Sequence, residues 1–309
     1  MRIKTVFMGT PDFAAVSLRA LCDAEWLVDV AAVVTQPDKP QGRGNQMIFS
    51  PVKKIAVERG IPVFQPRRAE EIVAELTAIA PDFITVVAFG QILKRSILDL
   101  PKKSCINVHA SLLPSYRGAA PINWAIINGE VETGVTTMLI DEKLDSGDML
   151  LTAKTLISSD DTAETLHDRL AEMGAGLLVE TLRQFDNITP VKQDDSKATY
   201  YAKMTKDTGR IDWTRSGAQI RDLVRGCSPW PGAFTFHNGN MIKVWGVELL
   251  EATSAEAPGT VLGLGGGGIE VAVGGGAVLV AEVQREGKKR QSAETFLRGY
   301  KLGEGEKIG

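Results

Sequence analysis

The chain has 309 residues, 44% of them hydrophobic and 24% charged, with a formal net charge of −3; this is the balance of an ordinary soluble globular protein. That length exceeds what one hydrophobic core usually serves, so two domains are expected. No apolar run approaches the roughly 20 residues needed to cross a bilayer, and the negative balance argues against indiscriminate binding to nucleic acid. From residue 190 onward there are 16 Lys and Arg against 14 Asp and Glu, which leaves residues 1–189 at −5. Any RNA contact must then rest on local basic positions rather than on a bulk field. Cys22, Cys105 and Cys227 are odd in number and lack CxxC spacing, so neither a disulfide framework nor a zinc site is indicated, and a reducing cytoplasm is expected.

Residues 3–8 form an apolar run that stops at Gly9, too short for a secretory signal and suited to a first strand. Thr10-Pro11 then opens a helical pattern through Ala14, Leu18 and Leu21. A second apolar run, 27–34, completes a βαβ-like unit and predicts a Rossmann-like parallel sheet covered by helices. The first turn holds Gly9 alone where a dinucleotide fingerprint needs three spaced glycines, so NAD binding is not indicated. Gln36 to Gln46 is too rich in Pro and Gly for a regular element and longer than a usual βα connection. On composition alone it is a surface loop. Helical patterns at 51–59 and 70–79 alternate with strand candidates at 61–64 and 83–89, and the turn Phe89-Gly-Gln-Ile-Leu93 falls where a parallel sheet borders its ligand crevice.

Residues 104–108 read as a short buried strand, and strand alternation sends Asn107 and His109 to one face, two residues apart. An amide donor beside an imidazole suits acyl transfer: Asn can hold an oxyanion, and His can donate a hydrogen bond or move a proton near neutral pH. Taken alone, an Asn-x-His more often closes a strand end than it catalyses. Cys105 invites a thiol-nucleophile reading, but a free Cys on a strand is more often a small core residue. A Pro/Gly loop follows to Pro121, then a helix at 119–127, a strand at 134–140, the acidic loop Asp141-Glu-Lys-Leu-Asp-Ser-Gly-Asp148, a strand at 150–157 and an amphipathic helix from Asp161-Thr162 through Leu182, with His167 at its surface. Asp141, Glu142 and Asp148 suit turn and cap positions.

Residues 187–208 lose periodicity and gather Lys192, Lys203 and Lys206 among other charges, as an interdomain linker does. After a helix at 218–225, short strands at 233–236, 241–250, 259–264, 269–273 and 278–283 predict a small β-barrel. Gly263-Leu-Gly-Gly-Gly-Gly268 matches G-x-G-x-x-G, but a strand follows it and no helix, so it is a hairpin turn and not a cofactor loop. His237, beside Asn238-Gly239, reads as a hairpin position without chemistry. The expected division is 1–189 catalytic, 190–207 linker and 208–309 barrel.

Asn107, His109, Ser111-Leu-Leu-Pro114, Arg117-Gly118, Pro121 and Leu144-Asp-Ser-Gly-Asp148 together resemble the formyltransferases that use 10-formyltetrahydrofolate, and within them the tRNA formyltransferases. Gly9-Thr-Pro-Asp-Phe13, Thr35-Gln-Pro-Asp38, Gly42-Arg-Gly44 and Pro229-Trp-Pro231 extend the likeness over nearly the whole chain. The resemblance implies an OB-like second domain assisting tRNA binding, and Asp145 as the catalytic aspartate beside Asn107 and His109. It also implies a folate pocket formed by Phe89, Gly90, Gln91, Ile92 and Leu93, flanked by Ser111, Leu112, Leu113 and Pro114, with 10-formyltetrahydrofolate as donor and no metal. Arg43 in the long loop takes the place of the family's principal tRNA contact, and Lys192, Lys203 and Lys206 are candidate phosphate contacts. The expected reaction formylates the α-amine of methionine on initiator Met-tRNA, carried out by a cytoplasmic monomer with no membrane partner. A sugar-nucleotide N-formyltransferase, a formyl-folate hydrolase and a noncatalytic RNA-binding module are the competing readings.

Overall fold

The computed structural model describes residues 2–41 and 46–309. Two compact units are present, one of residues 1–118, 133–155 and 167–200, the other of residues 119–132, 156–166 and 201–309. Among the described residues no helix is long and apolar enough to cross a membrane.

The first unit is built on a seven-stranded sheet: β1 (Ile3–Gly9), β2 (Val28–Val34), β3 (Val63–Phe64), β4 (Phe83–Val87), β5 (Ser104–His109), β6 (Glu132–Leu139) and β7 (Met149–Leu156), in the order β7-β6-β5-β4-β1-β2-β3. Strands β1 to β5 are parallel, and β6 runs antiparallel to β5. The sheet is therefore mixed, not purely parallel. The edge reverses although the connection from β5 to β6, residues 110–131, is long enough to hold the helix Pro121–Ile127. The turn after β1 explains the lone glycine: a Cβ on Gly9 would lie 2.7 Å from Ala14 Cβ and 2.8 Å from Val87 O. Close packing of strand against helix demands glycine there. The helix Asp12–Asp23 then buries Phe13, Ala14, Leu18 and Leu21, and Val6, Met8, Ala32, Val34, Leu76, Ile84, Val86, Phe89 and Cys105 share one core cluster.

Other boundaries moved slightly. The pattern at 70–79 splits into a 3-10 turn, Ala69–Ile72, and a helix, Val73–Ile79. The helix expected from 119 starts at Pro121, behind a left-handed Ala120. The segment read as aperiodic carries short ladders: Val191 bridges Met149, and Tyr200–Tyr201 pairs with Arg117–Gly118.

The second unit is antiparallel. Strands β8 (Ala233–His237), β9 (Asn240–Leu250), β10 (Val261–Gly265), β11 (Gly268–Val273) and β12 (Gly276–Arg285) lie in the order β8-β9-β12-β11-β10, with Gln291–Ser292 paired to β12. Gly266 and Gly267, with φ of +60° and +95°, make the hairpin between β10 and β11. This is the role expected of that glycine run. Helix Gly217–Gly226 begins on a capping box, Ser216 with Gln219, and packs so closely on helix Pro121–Ile127 that a Cβ on Gly226 would lie 2.5 Å from Ile127 Cγ1. Trp213, Ile220, Val224, Val271, Val280 and Phe296 fill the core between helix and sheet.

Candidate active site

Strand β5 places the central pair. Ile106 and Val108 are buried on one face, where Val108 is close enough that a Cβ on Gly174 would meet its Cγ1 at 3.0 Å. Cys105, Asn107 and His109 take the other face. Cys105 sinks into the core at 3% exposure, where burial pushes its thiol up to about 12. Such a thiol holds almost no thiolate at neutral pH and is no nucleophile. Asn107 is half-buried and opens onto a cleft of about 110 Å³ walled by Val86, Leu93, Met138 and Ile140 and rimmed by Gln91, Ile92 and residues 141–145.

His109 is buried, and its Nε2 lies 2.8 Å from the carbonyl oxygen of Tyr116. A carbonyl only accepts, so Nε2 carries hydrogen and donates. Nδ1 is thereby turned toward Asp145, whose Oδ2 is 3.8 Å away. That separation is beyond hydrogen-bonding distance; the two groups face one another across a gap rather than being tied together. Asp145 is fixed on its own account, with Oδ2 accepting from Gly118 N at 2.8 Å and its backbone at φ +48°. The three residues singled out in sequence thus converge at the carboxyl end of β5.

The remaining site residues divide. Gln91, Ile92 and Leu93 line the cleft, with Ile92 75% exposed at its rim and the Gln91 amide tied to Ala69 N and Arg67 O. Phe89 is 2% exposed and belongs to the core, while Gly90, at φ +80°, shapes the turn. Ser111 and Leu113 are buried, and Leu112 and Pro114 half-buried. Ser111 Oγ donates to Ser115 O at 2.7 Å, and Thr136 Oγ1 donates to Ser111 O at 2.8 Å, so this segment braces the loop after β5 instead of lining the cleft. Lys192, Lys203 and Lys206 are exposed.

Arg43 lies outside the described residues. Both ends of its loop are anchored: Gln36 Nε2 donates to Phe89 O, Thr35 meets Ser50, and Lys53 pairs with Asp38 and donates to Gln65. Burial works against the Asp38 charge, but hydrogen bonds from Lys53 and Gln65 outweigh it and hold the carboxyl below its usual range. Among the described residues no group of three His, Cys, Asp or Glu is placed to hold a metal ion.

Two buried side chains stand behind the Asp145 loop without having been given a role in the sequence. Arg117 sits in a recognised motif, yet only its burial separates it from a surface arginine. Gln193 sits among charged residues with no periodicity to mark it.

An Asn, a His and an Asp stand together beside an apolar cleft on an α/β sheet, an arrangement that suits acyl transfer. The comparisons agree with that class. The family model described as formyl transferase matches residues 1–182, and the formyl transferase C-terminal domain matches 203–301. The chain belongs to the formyl transferase family. It is 50% identical to a methionyl-tRNA formyltransferase of Geotalea daltonii, over 99% of this chain and 98% of that protein. Against one of Citrifermentans bemidjiense it is 51% identical, over 99% and 96%. Among solved structures, an N-formyltransferase from Helicobacter canadensis, in complex with folinic acid and dTDP-3-aminofucose, matches 92% of this chain and 99% of its own with a TM-score of 0.67 at 20% identity. At that identity the likeness is one of fold.

Proposed function

We propose that this protein transfers the formyl group of 10-formyltetrahydrofolate to the α-amine of methionine on initiator Met-tRNA, in the cytoplasm, for translation initiation. The observation that carries the reading is the state of His109: Nε2 is committed to Tyr116 O, and Nδ1 faces Asp145 at the end of the strand that presents Asn107. The relatives near 50% identity bear the corresponding name over nearly their full length.

The lining of the cleft suits the ring of the donor. Val86, Leu93, Met138 and Ile140 offer apolar walls to a flat ring, with Gln91, Ile92 and residues 141–145 along its rim. Bound there, the donor supplies an electrophilic formyl carbon on N10. Asn107 donates to the oxygen of that carbon as negative charge develops on it. His109 Nδ1 takes the proton released when the amine nitrogen bonds to carbon, and passes it toward N10 as the carbon–N10 bond breaks. While protonated, Nδ1 is a second donor to the oxyanion. Asp145, 3.8 Å away, compensates the imidazolium charge directly or through a water bridging the two groups from one side. No covalent enzyme intermediate is needed, so holding two large substrates in line is the main demand on the protein.

Residues 1–189 would then carry donor and acceptor chemistry, and 208–309 would assist tRNA binding across the 190–207 connection, acting as a monomer. Arg43 would contact the acceptor end of the tRNA, with Lys192, Lys203 and Lys206 adding phosphate contacts, and Ser111 to Pro114 would support the folate site from the loop. The test offers the purified protein formyl-folate with charged initiator tRNA, charged elongator tRNA and an amino sugar nucleotide. Formylation of the initiator tRNA is expected. A faster reaction with the amino sugar nucleotide, or release of formate without an acceptor, would replace the reading.

A further inference from the structure

The Asp145 loop is held from behind. Gln193 is 4% exposed, and its amide is saturated: Nε2 donates to Asp145 O at 2.9 Å and Gly147 O at 2.7 Å, while Oε1 accepts from Arg117 Nε at 3.0 Å and Nη2 at 2.8 Å. Both donors and both lone pairs of the amide are engaged, which fixes the way it faces. Arg117 is 1% exposed and is oriented in turn by Asp195 Oδ1 at 2.8 Å and the Tyr200 hydroxyl at 2.6 Å.

The held segment is one that needs holding. Asp145 occupies the left-handed region, φ +48°, which a non-glycine residue keeps only when its surroundings impose it. Gly147 has no slack, since a Cβ there would lie 1.9 Å from Leu139 O. Because the carbonyls of 145 and 147 both accept from one amide, the turn between them cannot rotate without losing a bond. On the other side, the backbone N–H of Gly118, next in sequence to Arg117, fixes the Asp145 carboxylate. One two-residue strand therefore secures the backbone of Asp145 through its arginine and the carboxylate through its glycine.

We infer that Arg117 and Gln193 are positioning residues for formyl transfer, clamping Asp145 in the left-handed conformation that aims its carboxylate at His109. The inference rests on the role given to Asp145 above. It is tested by a double-mutant cycle of Gln193→Met with Asp145→Asn, read as kcat, KM for charged initiator tRNA and Kd for a folate analogue. Gln193→Met removes all four hydrogen bonds at near-constant volume, and kcat should fall about ten- to hundredfold, the usual penalty for a slightly misplaced catalytic group. KM and Kd should stay within about threefold of the parent, the pattern of a lost transition-state interaction. The double variant should be no slower than Asp145→Asn alone, because a disabled group gains nothing from being aimed. Parental kcat in Gln193→Met, or losses that multiply in the double variant, would overturn the clamp. Full activity in folded Asp145→Asn would remove the role of Asp145 itself and the clamp with it, a result distinct from either. If Gln193→Met does not fold, Gln193→Glu keeps the Arg117 contact but cannot donate to either carbonyl, and the same cycle read with it decides.

Discussion

Two buried histidines, each facing a carboxylate, sit in very different settings. His237 ends a hairpin strand of the second unit, 3% exposed, with Nδ1 2.8 Å from the Tyr300 hydroxyl and Nε2 3.1 Å from Glu306 Oε2. Both ring nitrogens are spent. At His109 one nitrogen is spent on Tyr116 O, and the other faces Asp145 at 3.8 Å, beside a cleft into which Asn107 also opens. A His–carboxylate pair is thus no signature of chemistry by itself. A satisfied network stabilises, whereas one with a bond still to be made, at the carboxyl end of a parallel strand, can move a proton.

The sharpest way to break this contrast is to truncate both sides. His109→Ala and Asp145→Ala should each lower formyl transfer by about two decades or more, the range of a lost general acid–base group, without a matching loss in thermal stability. His237→Ala and Glu306→Gln should leave kcat near the parent. Steady-state assays paired with melts check it, and a His237→Ala enzyme as slow as His109→Ala would collapse the distinction.

A smaller effect is expected at the long loop. Arg43→Ala should weaken use of charged initiator tRNA by about tenfold or more, and Arg43→Lys by less, since lysine cannot match a bidentate guanidinium contact. Titrations with a folate analogue should be unchanged, while added salt weakens tRNA binding. Unchanged tRNA use by Arg43→Ala would show that this loop does not read RNA.

On the satisfied side, His237→Ala removes the ring contacts to Tyr300 and Glu306 while the 3.4 Å contact of the Tyr300 hydroxyl with the 237 carbonyl stays, and should cost about 1–3 kcal/mol of stability, seen as a lower melting temperature. An unchanged melt would show that the network holds nothing together. Least affected should be the thiols. Burial pushes Cys105 and Cys227 up to about 12, so at pH 8 only about one in ten thousand of each is thiolate. In the native protein neither should react with a thiol reagent within minutes, and a folded variant free of cysteine should turn over normally. Rapid native labelling of Cys105 would contradict its placement.

Much of this was legible because local patterns and global packing agree. Strand alternation alone put Asn107 and His109 on one face, and the apolar run that stops at Gly9 marked the first strand. The reversal of β6 was not legible, because an apolar run does not record the direction of its neighbour. Nor was the network around His237, since Tyr300 and Glu306 lie more than 60 residues further along the chain. Gln193 was invisible for a related reason: its value lies in four hydrogen bonds to residues 46 to 76 positions away. Spacing finds partners along one element, and long-range polar satisfaction appears only after folding.

The central claim is that Asn107 meets charge that exists only in the transition state. Single-turnover formyl transfer by Asn107→Ala, with donor and charged initiator tRNA both prebound, tests it most directly. The account expects a rate lower by about two to three decades, with the folate analogue bound as by the parent. A folded Asn107→Ala protein that transfers at nearly the parental rate would contradict it.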